Sequence, residues 1–319
     1  MNMKYFPKLR LSHLFDKKFI VPLILSTMIF SCADQKQNNK LGSVFERENL
    51  IAWCIVPYDS KNRTPVERAE MLKDLGINKL AYDWRDEHIP TFDEELAALE
   101  NSNIKLQAFW FHSGPDPSND KDLKIILDLF KRNNTKTQLW TMFRGWPPSF
   151  DNLSQTDKVK TAAEAVAYVA QRLDELGCSL GLYNHGGWFG EPENQLAVIE
   201  YLKLKNIGIV YNFSHSETQI QRFPEFYPQI LPHLYAINIT GLKGGYPAEV
   251  VPIGDGNIEE KMIRIIQASS YRGPIGIINE KFADDAADGL KLNMEGLKTI
   301  LKSLGDNKAV ETYSYLKSN

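Results

Sequence analysis

Cysteine is scarce, with three in 319 residues. Three thiols exclude a disulfide scaffold and any four-thiolate zinc site. An excess of one charge is also missing, because 37 basic side chains face 40 acidic ones and leave a net charge of -3. Binding a phosphate backbone needs a basic surplus, so no nucleic-acid partner is expected. No glycine-rich phosphate fingerprint follows the first strand-like run, which argues against a dinucleotide fold. The N-terminal apolar run, residues 19–31, is too short to cross a bilayer as a helix. What is present, 43% hydrophobic and 24% charged residues, is the profile of a folded globule long enough for one large barrel or two medium domains.

The N-terminus reads as an export signal. Lys17-Lys18 precedes the apolar run, which contains Pro22 and ends in Ile29-Phe30-Ser31-Cys32, similar to a bacterial lipobox. Cys32 is therefore the expected lipid-attachment residue, at the end of a signal spanning residues 1–32. Residues 33–44 are polar and read as a tether, and residues 45–319 as the folded domain. The expectation is a protein of the bacterial cell envelope, outside the cytoplasm and held on a membrane by lipid. Cys54 and Cys178 lie in or beside apolar runs and read as small core residues.

After the tether, short β-branched or aromatic runs alternate with amphipathic stretches. Strand-like runs begin near Leu50, Lys79, Lys105, Gln138, Leu180, Gly208, Leu234 and Pro274. Helix starts are signalled at Thr64-Pro65 with Glu67, at Thr91, Asn119, Thr156, Glu191-Pro192 and Glu217, at Asn257 with Glu260, and at Asp288. Stops are signalled at Leu75-Gly76 and Leu176-Gly177. Eight such units predict an α/β fold, a single closed (β/α)8 barrel, rather than an open doubly wound sheet. In that fold chemistry belongs to the C-terminal strand ends and the loops after them.

Those ends are rich in aromatic and polar groups. His88, His112, His185 and His215 all fall at this face, together with Trp84, Trp110, Trp146 and Trp188. Flat aromatic surfaces among hydrogen-bonding groups suit a sugar ring, so Trp84, Trp110, His112, Arg144, Tyr183, Asn184, Trp188, Asn212 and Asn238 are candidate substrate contacts. Asp83 beside Arg85 reads equally as a local ion pair or a catalytic acid. His185 and His215 are the favoured catalytic pair, with Glu217 and Glu280 as candidate acidic partners.

Several stretches carry a resemblance. Tyr183-Asn184-His185-Gly186-Gly187-Trp188, Pro192-Glu193-Asn194, the run from Gly208 to His215, Pro252-Ile253-Gly254-Asp255-Gly256-Asn257-Ile258 and Tyr271-Arg272-Gly273-Pro274-Ile275 together resemble the xylose-isomerase-like TIM-barrel family. This is the superfamily of sugar phosphate isomerases and epimerases and related endonuclease barrels. The resemblance implies one divalent metal (manganese, zinc or magnesium) held by a Glu at the end of strand five, an Asp and a His around strand six, a His after strand seven and a Glu at the end of strand eight. Here those positions carry Tyr183, Asn212, a residue near Asn238, and Ile278, so that only His215 matches. Loss of the carboxylates predicts weak metal binding or none. Two repairs are open: Glu280, two residues past Ile278, or a displaced set of His185, His215 and Glu217, which suits zinc or manganese.

Two functional expectations follow. One is an exported enzyme acting on a sugar or keto-sugar by proton transfer beside a carbonyl, which covers isomerisation, epimerisation and β-elimination. His185 or His215 is its base, and Glu191, Glu217 or Glu280 its acid partner. The other is a barrel that binds carbohydrate without turning it over. A glycoside hydrolase would need two facing carboxylates, and no such pair is evident.

Overall fold

The computed structural model describes residues 42–279 and 284–314. The expected signal, Cys32, most of the tether and Glu280 lie outside the described residues. Among the described residues no helix is long and apolar enough to cross a membrane.

Eight parallel strands close a barrel. They are β1 (Leu50–Trp53), β2 (Lys79–Asp83), β3 (Lys105–Ser113), β4 (Gln138–Phe143), β5 (Ser179–Tyr183), β6 (Ile207–Asn212), β7 (Leu234–Ile239) and β10 (Ile275–Ile278). Closure comes from β1 against β10, in register from Leu50 with Ile275 to Trp53 with Ile278. Between them run α1 (Pro65–Asp74), α2 (Phe92–Asn101), α3 (Lys121–Arg132), the short α4 (Pro148–Asp151), α5 (Gln155–Asp174), α6 (Pro192–Leu202), α7 (Phe223–Ile230) and α8 (Glu259–Ala268). The helices α9 (Ala286–Ser303) and α10 (Asn307–Thr312) complete the chain. This is the (β/α)8 barrel that the alternation predicted.

The local signals explain most boundaries. Thr64 and Glu67 form both bonds of a capping box on α1. Gly76 and Gly177 take left-handed φ of 65° and 68° just past the ends of α1 and α5. Other starts shift by a few residues to a better acceptor: Asp120 rather than Asn119, Ser154 rather than Thr156, and Asp285 rather than Asp288 supply the capping oxygens. The helix expected from Glu217 begins only at Phe223, with Pro224 in its first turn. Before it, the Asn212 side chain accepts from Ser214 N at 3.0 Å and curls Phe213–His215 into a 3-10 turn.

The compact unit starts at Gly42; Val44 and Phe45 are buried, and Phe45 O accepts from the Tyr313 hydroxyl at 2.7 Å. Cys54 and Cys178 are buried and in no disulfide.

Two layers of core result. One fills the space between sheet and helices; the other, inside the barrel, contains Ile51, Trp53, Ala81, Ala108, Trp140, Tyr183, Val210, Ala236 and Ile278. Large residues on β1, β4 and β5 face small ones on β2, β3 and β7 across that interior, which side chains fill as a closed barrel requires. Gly181 shows the fit, since a Cβ there would stand 2.7 Å from Val210 Cγ2 and 2.8 Å from Trp140 Cδ1.

One addition has no counterpart in the sequence reading. A hairpin of β8 (Gly241–Lys243) and β9 (Glu249–Val251) follows β7. Glu259, not Glu260, organises its base: the buried carboxylate accepts from the backbone N–H of Leu242, Gly254, Gly256 and Ile258 at 3.1–3.2 Å. The Gly254–Ile258 stretch is thus a structural knot at the start of α8.

Candidate functional site in the barrel mouth

The floor of the mouth is aromatic. Trp53, Trp110, Trp140 and Tyr183 come from β1, β3, β4 and β5, with ring centroids 5.6–6.4 Å apart. Trp53 and Trp140 escaped the sequence reading, although period-two alternation from Ile51 and from Gln138 would have turned both inward.

Above the floor the two favoured histidines meet. His185 lies in the loop after β5 and His215 at the end of the turn after β6, yet their ring centroids are 3.9 Å apart with planes inclined at 39°. Tyr183 packs edge-on below His215 at 5.8 Å. Burial pushes the His215 imidazole down to about 3, and the neighbouring His185 adds to the shift. His185 also lies below its ordinary value, through burial and the charge of Arg144, partly offset by its own backbone. It remains open to solvent on the side away from His215. Both rings are therefore neutral at ordinary pH.

Several bonds tie the two loops together. Asn212 N donates to Asn184 Oδ1 at 2.6 Å, and Asn184 Nδ2 donates back to Asn212 O at 3.0 Å. Gln219 Nε2 donates to Gly190 O at 3.0 Å, and Arg222 is paired with Glu191 and Glu193 at the start of α6. Gln219 was not among the expected site residues, because nothing local marks a buried glutamine in a loop.

The other expected residues separate by position. Asn184 and Asn212 are fully buried and bonded internally. Tyr183 accepts from Trp53 Nε1 at 3.1 Å and from Asn212 Nδ2. Trp84 faces away from the mouth and packs among Phe92, Phe109 and Phe111, because it stands one residue past the inward Asp83. Trp188 lies against Phe150 and donates to Gln155 Oε1 at 2.9 Å. His112 is half-buried, stacked on Phe111 and 6.3 Å from Trp110; burial and Arg144 lower it. Arg144 is exposed at the tip of β4. Asn238 is fully buried, and neither side-chain atom has a bonding partner among the described residues. Asp83 is ion-paired with Arg85 at 2.6 Å. Glu217 is half-buried in a turn, where burial raises it.

The described residues do not fit a divalent cation; Glu280 lies outside them. Tyr183 and Asn212 spend their polar atoms on each other, on Trp53 and on Ser214. Glu217 does not complete a cluster with the histidines: among the described residues no group of three or more His, Cys, Asp or Glu could hold a metal ion. Neutral amides and a phenol also lack the charge that offsets dehydration of a hard cation.

An eight-stranded parallel barrel with its polar groups gathered at the C-terminal strand ends defines a class whose sites sit in that mouth. The chain belongs to the xylose isomerase-like TIM barrel family, whose sequence description matches residues 69–300. No curated protein matches it in sequence. Among solved structures it is similar to the zinc-bound IOLI protein, with a TM-score of 0.62 at 11% identity over 80% of this chain and 98% of that one. It is also similar to the probable 3-DHS dehydratase AsbF of Bacillus anthracis (0.58, 12%, 77% and 98%). A third is 3-keto-D-glucoside 4-epimerase YcjR of E. coli (0.56, 14%, 80% and 99%). At such identities the likeness concerns the fold.

Proposed function

We propose that the mouth binds a sugar or keto-sugar and moves a proton beside its carbonyl. The contact of His185 with His215 at 3.9 Å, above an aromatic floor, carries the reading. His185, open to solvent, is the base: it takes the proton from the carbon next to the carbonyl, and the C–H electron pair forms a C=C bond. His215, neutral down to about pH 3, donates a hydrogen bond to the carbonyl oxygen as that oxygen gains charge. Returning the proton to another face or carbon gives an epimer or isomer, and passing it from His185 to a β-hydroxyl, which leaves as water while the electron pair forms the C=C bond, gives elimination. Structural neighbours named as a 3-keto-D-glucoside 4-epimerase, a D-tagatose 3-epimerase-like protein and a probable dehydratase support this class.

Deuterium uptake tests it. Keto-hexoses in heavy water should exchange the hydrogen beside the carbonyl, with a loss of about 100-fold or more in His185→Ala. Absence of exchange with every keto-sugar, alongside saturable binding, would favour the second reading, a carbohydrate binder. That reading draws on the neutral Tyr183–Asn212–Trp53 network at positions where the family resemblance places carboxylates.

We also propose that the protein is exported and lipid-anchored through Cys32. Incorporation of a fatty-acid label that vanishes in Cys32→Ser supports this, and a soluble, unlabelled wild-type protein defeats it.

A further inference from the structure

Four consecutive strands deliver His112 at the end of β3, Arg144 just past β4, His185 after β5 and His215 after β6. Arg144 N is bonded to Ser113 O at 3.0 Å, which fixes its backbone beside His112. The next residue, Gly145, has φ 76°, a turn that leaves Arg144 at the strand tip before Trp146 and Pro147 carry the chain away. Its guanidinium differs from most others in the molecule. Arg63, Arg68, Arg85, Arg132 and Arg222 each bond to carboxylates, whereas no bond or ion pair holds the Arg144 side chain among the described residues.

Among the described residues no carboxylate forms an ion pair with it, although Asp120, Asp122 and Asp86 all act on His112. The three imidazoles are neutral at ordinary pH, and Arg85 neutralises Asp83. Asp120 has its Oδ1 engaged in capping α3, and its Oδ2 accepts from Ser113 Oγ at 3.4 Å. The charge of Arg144 reaches both His112 and His185.

We propose that the ligand of this mouth is an acidic sugar, one bearing a carboxylate, and that Arg144 is the group that takes the carboxylate. This rests on the sugar reading above and narrows it. A planar guanidinium matches a carboxylate in two parallel bonds, and a single fork satisfies it. A phosphate would call for more donors, such as a helix N-terminus aimed at the same point. Neutral imidazoles on either side hydrogen-bond the neighbouring hydroxyls without competing for the anion.

Titration of the full chain with D-glucuronate, D-glucose, D-glucose 6-phosphate and D-lactate, read by NMR of the histidine ring protons, tests this. In the wild type, glucuronate should bind about tenfold or more tighter than glucose, and lactate should shift His112 and His185. Arg144→Gln should remove that advantage and the lactate shift, leave glucose within about twofold, and Arg144→Lys should restore only part of it. Equal binding of glucose and glucuronate, indifferent to Arg144→Gln, overturns the acidic-sugar assignment while leaving the sugar reading intact. Preference for the phosphate ester over glucuronate overturns the carboxylate. Lactate shifts with no sugar binding at all overturn the sugar reading and the acidic-sugar assignment with it.

Discussion

At the tips of β5 and β6, Tyr183, Asn184, Asn212 and Ser214 bond to one another and to Trp53. At the tips of β3, β4 and β7, Trp110 Nε1, the Arg144 guanidinium and both amide atoms of Asn238 have no partner among the described residues. Buried polar groups that saturate each other hold a fold in place, while those left over are available to a ligand. The family resemblance places metal ligands largely on the first side. In this chain the polar groups on that side are spent on one another beneath the histidine pair, whereas those on the other side are left without a partner among the described residues.

Replacement of one asparagine on each side would break that contrast most directly. Asn212→Ala orphans the Ser214 N–H and the bonding of Tyr183, and should cost about 3 kcal/mol in urea unfolding. Asn238→Ala removes no hydrogen bond and should cost about 1 kcal/mol or less. Similar costs for the two would erase the distinction.

Acid should act on the histidine side. The His215 value falls from 6.5 in the unfolded chain to about 3 when folded, so the unfolded chain takes up the proton first as pH drops. That contribution to stability is whole above pH 6.5 and lost progressively down to about pH 3, at up to about 1.4 kcal/mol per pH unit. His185 and His112 are shifted in the same direction. Unfolding midpoints across that window should be flatter in His215→Asn than in the wild type.

The loop brace should show a smaller effect on stability. Gln219→Ala loses one buried bond to Gly190 O, about 1 kcal/mol, and should lower the exchange rate of keto-sugars more than their binding, because it loosens one histidine loop against the other. Equal losses in rate and binding would mean that Gln219 does not set the register of the pair. The smallest expected effect is that of a chelator, which should leave exchange unchanged; a fall restored by zinc or manganese would reverse the reading of the β5–β6 side.

Trp53 and Trp84 show how far the sequence reaches. Both are tryptophans near strand ends, and alternation alone places Trp53 inside with Ile51 and Trp84 outside after Asp83. A reading by strand end alone therefore included Trp84 and passed over Trp53. The helix after β6 was misplaced for a different reason: the Asn212 side chain competes for the backbone and forms a tight turn where Glu217 looked like a helix start.

The periodicity of apolar residues determined the eight-fold alternation, the barrel and the face at which the candidate site residues gather, because burial on two sides of a sheet writes itself into local pattern. Whether a polar side chain at that face is bonded or free depends on neighbours from other strands. His215 meets His185, Asn212 meets Tyr183 and Asn184, and Arg144 pairs with no carboxylate among the described residues, because closure of the barrel sets which strand tips lie side by side.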